Sequence, residues 1–192
     1  MTTMAKILAG GLPGGAVGGK AAIMELLEFK DDPVWNRTKK IAHPGTYNAN
    51  PLSSAAGVTA LRIASDPAVQ RRAEQLANKL KRGFNEAFIH NEVPGFSYGE
   101  SSIVNTVIGT PYPGKLPLDL KHPEGVDATV LKRRGTENQL QMARAGMMLE
   151  GMDLWHGAGA IISAAHTDED IDRTVEAFGR VLARLQREGL FE

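Results

Sequence analysis

Lys6 stands immediately before the apolar run Ile7-Leu8-Ala9 and the glycine-rich stretch from Gly10 to Gly19. Placed at the lip of a short strand and walled by apolar neighbours, an ammonium loses hydration, its pKa falls, and the neutral amine attacks carbonyls. That is Schiff-base chemistry. Gly10, Gly11, Gly14 and Gly15 would let the backbone turn and come close to a ligand with no Cβ in the way. The plainer use of such a residue is a solvated lysine at a strand end.

Downstream, Gly45-Thr46 comes just before Asn50-Pro51, so a backbone N–H and a hydroxyl stand near a positive helix end, where a phosphate oxygen is stabilised. An ordinary turn is the competing reading. Gly14-Gly-Ala-Val-Gly-Gly19-Lys20 has the spacing of a phosphate-binding P-loop. The next residue is Ala21, however, where a magnesium-binding hydroxyl is needed, and no β-branched strand leads in. Lys20 therefore reads as a solvated residue on the first turn of a helix. The five histidines, at 43, 90, 122, 156 and 166, form no H-x-x-x-H pair, and no metal site is expected. Tyr98-Gly-Glu-Ser-Ser is no nucleophile elbow. Arg133 and Arg134 offer guanidinium groups to a carboxylate, but arginines before a helix are mostly solvent contacts, and they stay outside the predicted site.

The 192 residues carry 22 Lys+Arg and 22 Asp+Glu, a net charge of zero, and no cysteine. No broad field draws nucleic acid or an anionic membrane; disulfide and thiolate chemistry are excluded, which is compatible with a reducing compartment. No apolar run approaches the ~20 residues of a membrane span, and Met1-Thr-Thr-Met lacks the features of a signal peptide. The expectation is a cytoplasmic protein without nucleic-acid or membrane partners.

Strand, glycine-rich turn and strand are predicted up to about Gly19, then a short helix from Lys20 to Phe29 that ends at Asp31-Asp-Pro33. Trp35 to Tyr47 reads as loop and extended chain. Asn50-Pro51 and Asp66-Pro67 each start a helix, an N-cap followed by a proline whose missing N–H goes unused there. The first runs to about Ala64 and the second to about His90, with Val69, Leu76, Leu80, Phe84 and Phe88 at near-helical spacing. Phe96 to Gly109 is β-rich, and Thr110 to Gly125 is an excursion or flexible loop. A helix over Thr136 to Glu150, a β-like run over Ala160 to Ala165, and a helix from the capping box Thr167-Asp-Glu-Asp170 to about Arg187 complete the chain.

Lys6 with its glycines, read together with His43-Pro-Gly-Thr-Tyr-Asn-Ala-Asn-Pro-Leu-Ser-Ser-Ala-Ala-Gly57, resembles the lysine region of class-III aminotransferases, especially the glutamate-1-semialdehyde aminomutase branch. The resemblance implies a fold-type-I α/β architecture: the end of the large cofactor-binding domain with its connecting helix over residues 1–92, and the small C-terminal α/β domain over 93–192. It implies pyridoxal 5'-phosphate as cofactor, held covalently by Lys6, which also shuttles the proton. Gly45 and Thr46 would bind its phosphate, the threonine across a dimer interface.

In that family the lysine lies past the middle of a chain about twice as long, and the other cofactor contacts precede it. The resemblance therefore implies a C-terminal half that works with a separate chain carrying the N-terminal half, as a dimer of paired halves acting on a small-molecule amino donor and acceptor. Ala158 stands where the aminomutase has a glutamate, which favours an amino-acid or amine transaminase over the mutase. A non-catalytic fragment or assembly subunit is the remaining alternative.

Overall fold

In the computed structural model, which describes residues 1–155 and 159–191, Thr2–Met4 and Ala16–Gly18 pair antiparallel as β1 and β2. A single 3₁₀ turn, Lys6–Ala9, lies between them. The expected helix after Lys20 is short: α1 covers Ala21–Met24 and passes into another 3₁₀ turn, Glu25–Leu27. Asp31-Asp-Pro33 does not simply end it. The Asp32 carboxylate accepts hydrogen bonds from the Val34 and Trp35 amides at 2.9 and 3.2 Å, and a further helix, α2, runs over Pro33–Thr38 where loop was expected. The Asn50 side chain caps α3, Pro51–Ala64, in the same way through Leu52 and Ser53 at 3.0 and 3.1 Å. Residues Met1–Pro67 form one compact unit and Ala68–Glu192 a second.

The 24-residue helix α4, Pro67–His90, joins the second unit, although sequence grounds place it with the first. Its apolar stripe explains this: Leu76, Leu80, Phe84 and Phe88 are all buried in the second unit's core. A three-stranded antiparallel sheet, ordered β3 (Gly95–Tyr98), β4 (Ile103–Ile108) and β5 (Gly159–Ile161), divides that unit. Side chains alternate across β4. Val104 and Ile108 face the cluster of α4, α6 (Glu137–Leu149) and α7 (Asp168–Arg187), while Val107 packs with Phe96 and Leu120 on the other side. Both late helices open with reciprocal capping boxes, Thr136 with Gln139 and Thr167 with Asp170. A short helix that the sequence reading missed, α5 (Ala128–Arg133), is capped by Asp127.

Thr110 to Gly125 is fastened down rather than loose. The buried Asn85 carboxamide donates to the carbonyls of Ser97, Pro117 and Leu118 at 2.9, 3.2 and 3.0 Å and accepts the Ser97 N–H at 2.6 Å. One side chain thereby ties helix, sheet and loop. Beside it Lys81, 1% exposed, donates to the Gly99 carbonyl at 2.9 Å. Burial lowers the Lys81 pKa from the usual 10.5, with Asp119 opposing that shift.

Candidate functional site

Lys6 is not at the lip of a strand. β1 stops at Met4, and Lys6 opens the 3₁₀ turn with φ at +58°, a left-handed conformation for a residue bearing a Cβ. The apolar run was expected to bury the lysine, and here the structure corrects the sequence: Ile7 is 69% exposed and only Ala9, at 5%, turns inward. A turn sends successive side chains around its axis, so three apolar residues in a row cannot all wall one neighbour. The Lys6 ammonium forms no ion pair with a described residue. Backbone held off its ordinary minima is a feature concentrated at functional sites, at a cost on the order of 1–3 kcal/mol.

Gly10, expected to make room for a ligand, is required by the chain itself. Gly10 closes the turn at φ +62°, its N–H donating to the Ile7 carbonyl at 3.0 Å, and a Cβ there would lie 2.6 Å from the Ala56 carbonyl oxygen of α3. From the other side a Cβ on Gly57 would lie 2.6 Å from the Leu8 carbonyl oxygen. The lysine turn and α3 thus touch backbone to backbone. Gly57 was not singled out from sequence, although a glycine within a helical run is the available signal for close approach.

The candidate phosphate residues sit in the turn between His43 and Asn50. The Asn48 N–H donates to the Gly45 carbonyl at 3.0 Å, and the Asn48 carboxamide donates to that of His43 at 3.0 Å. A Cβ on Gly45 would come 2.5 Å from the Asn48 carboxamide oxygen, so this glycine too answers to packing. Thr46 is exposed, and its hydroxyl has no hydrogen-bond partner among the described residues. The expected help from the start of α3 is reduced, because Asn50 already accepts from the Leu52 and Ser53 amides. A phosphate here would rest on the Thr46 hydroxyl and its loop.

The two segments meet at one cleft of about 520 Å³. Leu8 and Ala9 form one wall; His43, Tyr47 and Asn48 form another; Ser53 and Gly57 of α3 form the floor. Lys6, Gly45 and Thr46 themselves stand outside that lining, at its approaches. Tyr47 and Asn48 were not picked out from sequence, since turn residues carry no period that would single them out. Tested against a group bearing an aldehyde and a phosphate, the residues fit in part. An unpaired amine and an unpaired hydroxyl are offered on segments that share a cleft, and the described residues of this unit enclose neither.

Lys20, the P-loop candidate, is exposed at the N-cap of the four-residue α1 and caps nothing through its side chain. In the second unit the Arg134 guanidinium lies 5.6 Å from the Trp155 ring centroid, and Arg133 lines a groove of about 680 Å³ with Thr136 and Gln139. His166 braces the turn before α7, its Nδ1 accepting the Ser163 N–H at 3.1 Å. His156 and Ala158 lie outside the described residues. Among the described residues no group of three or more His, Cys, Asp or Glu could hold a metal, and no helix is long and apolar enough to cross a membrane.

Residues 1–95 match the model of the family described as aminotransferase class-III. A glutamate-1-semialdehyde 2,1-aminomutase of Thermomicrobium roseum is 32% identical over 193 residues, covering 97% of this chain and 39% of the relative. One of Thermus thermophilus is 30% identical, over 95% of this chain and 38% of its own. Among solved structures, an ω-transaminase from Sphaerobacter thermophilus superposes with a TM-score of 0.73 at 26% identity, over 95% of this chain and 38% of that one. A β-phenylalanine aminotransferase from Variovorax paradoxus does so at 0.64 and 26%, over 96% and 38%. The chain thus spans about 39% of the length of the curated relatives it matches.

Proposed function

Since the chain belongs to the class-III aminotransferase family and has part of the fold-type-I α/β architecture, we propose that it is the lysine-bearing portion of a pyridoxal-phosphate-dependent aminotransferase. It transfers an amino group between an amino acid or amine and a keto acid or aldehyde. The observation that carries this reading is Lys6, a primary amine without an ion pair among the described residues, held at a left-handed φ at the start of a 3₁₀ turn that is locked against α3 through Gly10 and Gly57. Pyridoxal phosphate, when bound, supplies an aldehyde for an amine and a ring that takes up the electron pair left at the substrate carbon. Lys6 Nζ would hold the group through its aldehyde and, when a substrate amine takes that place, would accept the α-proton and hand it on. Thr46 would donate its hydroxyl to a phosphate oxygen, with the Gly45 backbone beside it.

Because Lys6 and Thr46 are both exposed here, a separate polypeptide carrying the N-terminal half supplies the remaining contacts, and two such pairs form the working dimer in the cytoplasm. Borohydride reduction of the completed assembly with pyridoxal phosphate tests the reading. Mass spectrometry should place a pyridoxyl group on Lys6, none on Lys6→Ala, and little on this chain alone. A label on Lys20 or on no lysine overturns the catalytic assignment, and tight stoichiometric binding by the isolated chain overturns the need for a second half.

The aminomutase reading is favoured by the names of the relatives at 32% and 30% identity. Isomerisation of glutamate 1-semialdehyde without consumption of an external amino acceptor would select it over the transaminase.

A further inference from the structure

We propose that the second unit carries a binding site for a small-molecule carboxylate, built from Arg134, Tyr98 and Asn105. Residues directly opposite one another on neighbouring strands share a face of the sheet, and the register sets Tyr98 against Asn105 and Asn105 against Gly159. The row Tyr98, Asn105, Gly159 thus crosses β3, β4 and β5 on the side where Phe96 and Val107 lie. Arg134 reaches this row from the end of α5. A Cβ on Gly159 would lie 3.3 Å from Arg134 Nη1 and 3.5 Å from the Trp155 ring, so guanidinium and indole share the space that the glycine leaves. The guanidinium is 5.6 Å from the ring centroid, within cation–π range. Its backbone is pinned: the Arg134 N–H donates to the Val130 carbonyl and the Arg134 carbonyl accepts the Ile108 N–H, both at 2.8 Å.

Each of the three side chains ends in donors with nothing to donate to. Among the described residues the Arg134 guanidinium has no ion pair and no hydrogen bond, and neither the Tyr98 hydroxyl nor the Asn105 carboxamide has a hydrogen bond. All three residues are half-buried. A cation partly withdrawn from water without a counter-ion favours an anion, and the paired N–H groups of a guanidinium match the two oxygens of a planar carboxylate. Burial pushes the Tyr98 phenol up from its usual 10.0, with Arg134 opposing, so at neutral pH it keeps its proton and donates. One positive charge with two neutral donors suits the single charge of a carboxylate better than the nearly double charge of a phosphate ester. The inference deepens the reading above and rests on it for the ligand's identity: of amino acid, keto acid, amine and aldehyde, the first two bring a carboxylate, and the site prefers them.

The test titrates the full chain with glutarate at low ionic strength, by calorimetry and by the Arg134 Nε–H resonance. Glutarate should bind with a dissociation constant on the order of 1 mM and shift that resonance. Arg134→Gln should weaken binding about tenfold or more, and Arg134→Lys, which keeps the charge but not the fork, should recover only part of the loss. Tyr98→Phe keeps the ring beside Phe96 and removes the hydroxyl alone, at a cost of roughly threefold in affinity. Arg133→Gln, in the groove with Thr136 and Gln139, should change nothing. Unchanged amide exchange in α4 and α7 shows that the variants still fold. Absence of glutarate binding overturns the proposal, as does an equal loss in Arg133→Gln, or inorganic phosphate bound as tightly as glutarate. Glutarate binding by a chain whose completed assembly takes no pyridoxyl label on Lys6 would remove the aminotransferase reading and leave this site standing; a label on Lys6 without glutarate binding would remove the site alone.

Discussion

The two units of this chain keep their shapes by different means. Residues 1–67 bury one hydrophobic side chain, Ala9, and rely on local polar fastenings: Asp32 and Asn50 at helix starts, Asn48 across its turn, and Asn36 to Lys30 at 2.6 and 2.9 Å. Residues 68–192 hold every other buried hydrophobic residue described, centred on Phe178, which stacks on Phe84 at 4.0 Å and meets Phe88 edge-on at 5.3 Å. Hydrogen bonds at turns fix local geometry but contribute little net stability, whereas buried apolar area drives folding. The unit that carries Lys6 therefore lacks an interior, and the unit with the interior lacks Lys6.

The sharpest way to break that contrast is a pair of truncations. Phe178→Ala should destabilise the second unit by about 3–5 kcal/mol, whereas Ile7→Ala should change stability by no more than ~0.5 kcal/mol. Equal costs in denaturant titrations would mean that the first unit has an interior after all. Next in size, Asn85→Ala leaves the Ser97 N–H and three carbonyls without their partner and should cost about 1–3 kcal/mol. Hydrogen exchange should then rise between residues 110 and 120 before it rises elsewhere.

The smallest effect is at the surface. Arg72, at 2.8 Å, and then Lys79 hold the Asp168 carboxyl below its ordinary 3.8. A lowered carboxyl pKa stabilises above the unfolded value and ceases to do so as pH falls through the folded one. Asp168→Asn should thus lower the melting temperature slightly at neutral pH and not at all in strong acid. A deficit that persists in acid would remove the ion pair as its cause.

How far the chain could be read in advance depended on whether a feature was local. Asn50-Pro51, Thr136 and Thr167 mark helix starts because the capping group and the amides it satisfies lie within three residues. Asp32-Pro33 uses the same device but reads in sequence as an ending, because α2 is six residues long and shows no apolar period. Ile7-Leu8-Ala9 has the composition of a strand, and what turns it into a helical turn is the approach of Gly10 to Ala56 across the fold. Loop 110–125 reads in sequence as an excursion or flexible loop because its anchor, Asn85, lies far back on α4. The candidate site divides in the same way. Lys6 and Thr46 stand out by residue type and neighbours, but the apolar wall expected around Lys6 is not formed, because the turn fans out the side chains of Ile7, Leu8 and Ala9.

Asn85 has one more consequence. A segment tied by its carbonyls to a helix does not swing as a flap, so Pro117 and Leu118 stay where Asn85 holds them. Its tip is different: Gly114 sits at φ +88° with open space where a side chain would project, which makes that one residue the natural place to splice in a tag or reporter without disturbing the architecture beneath.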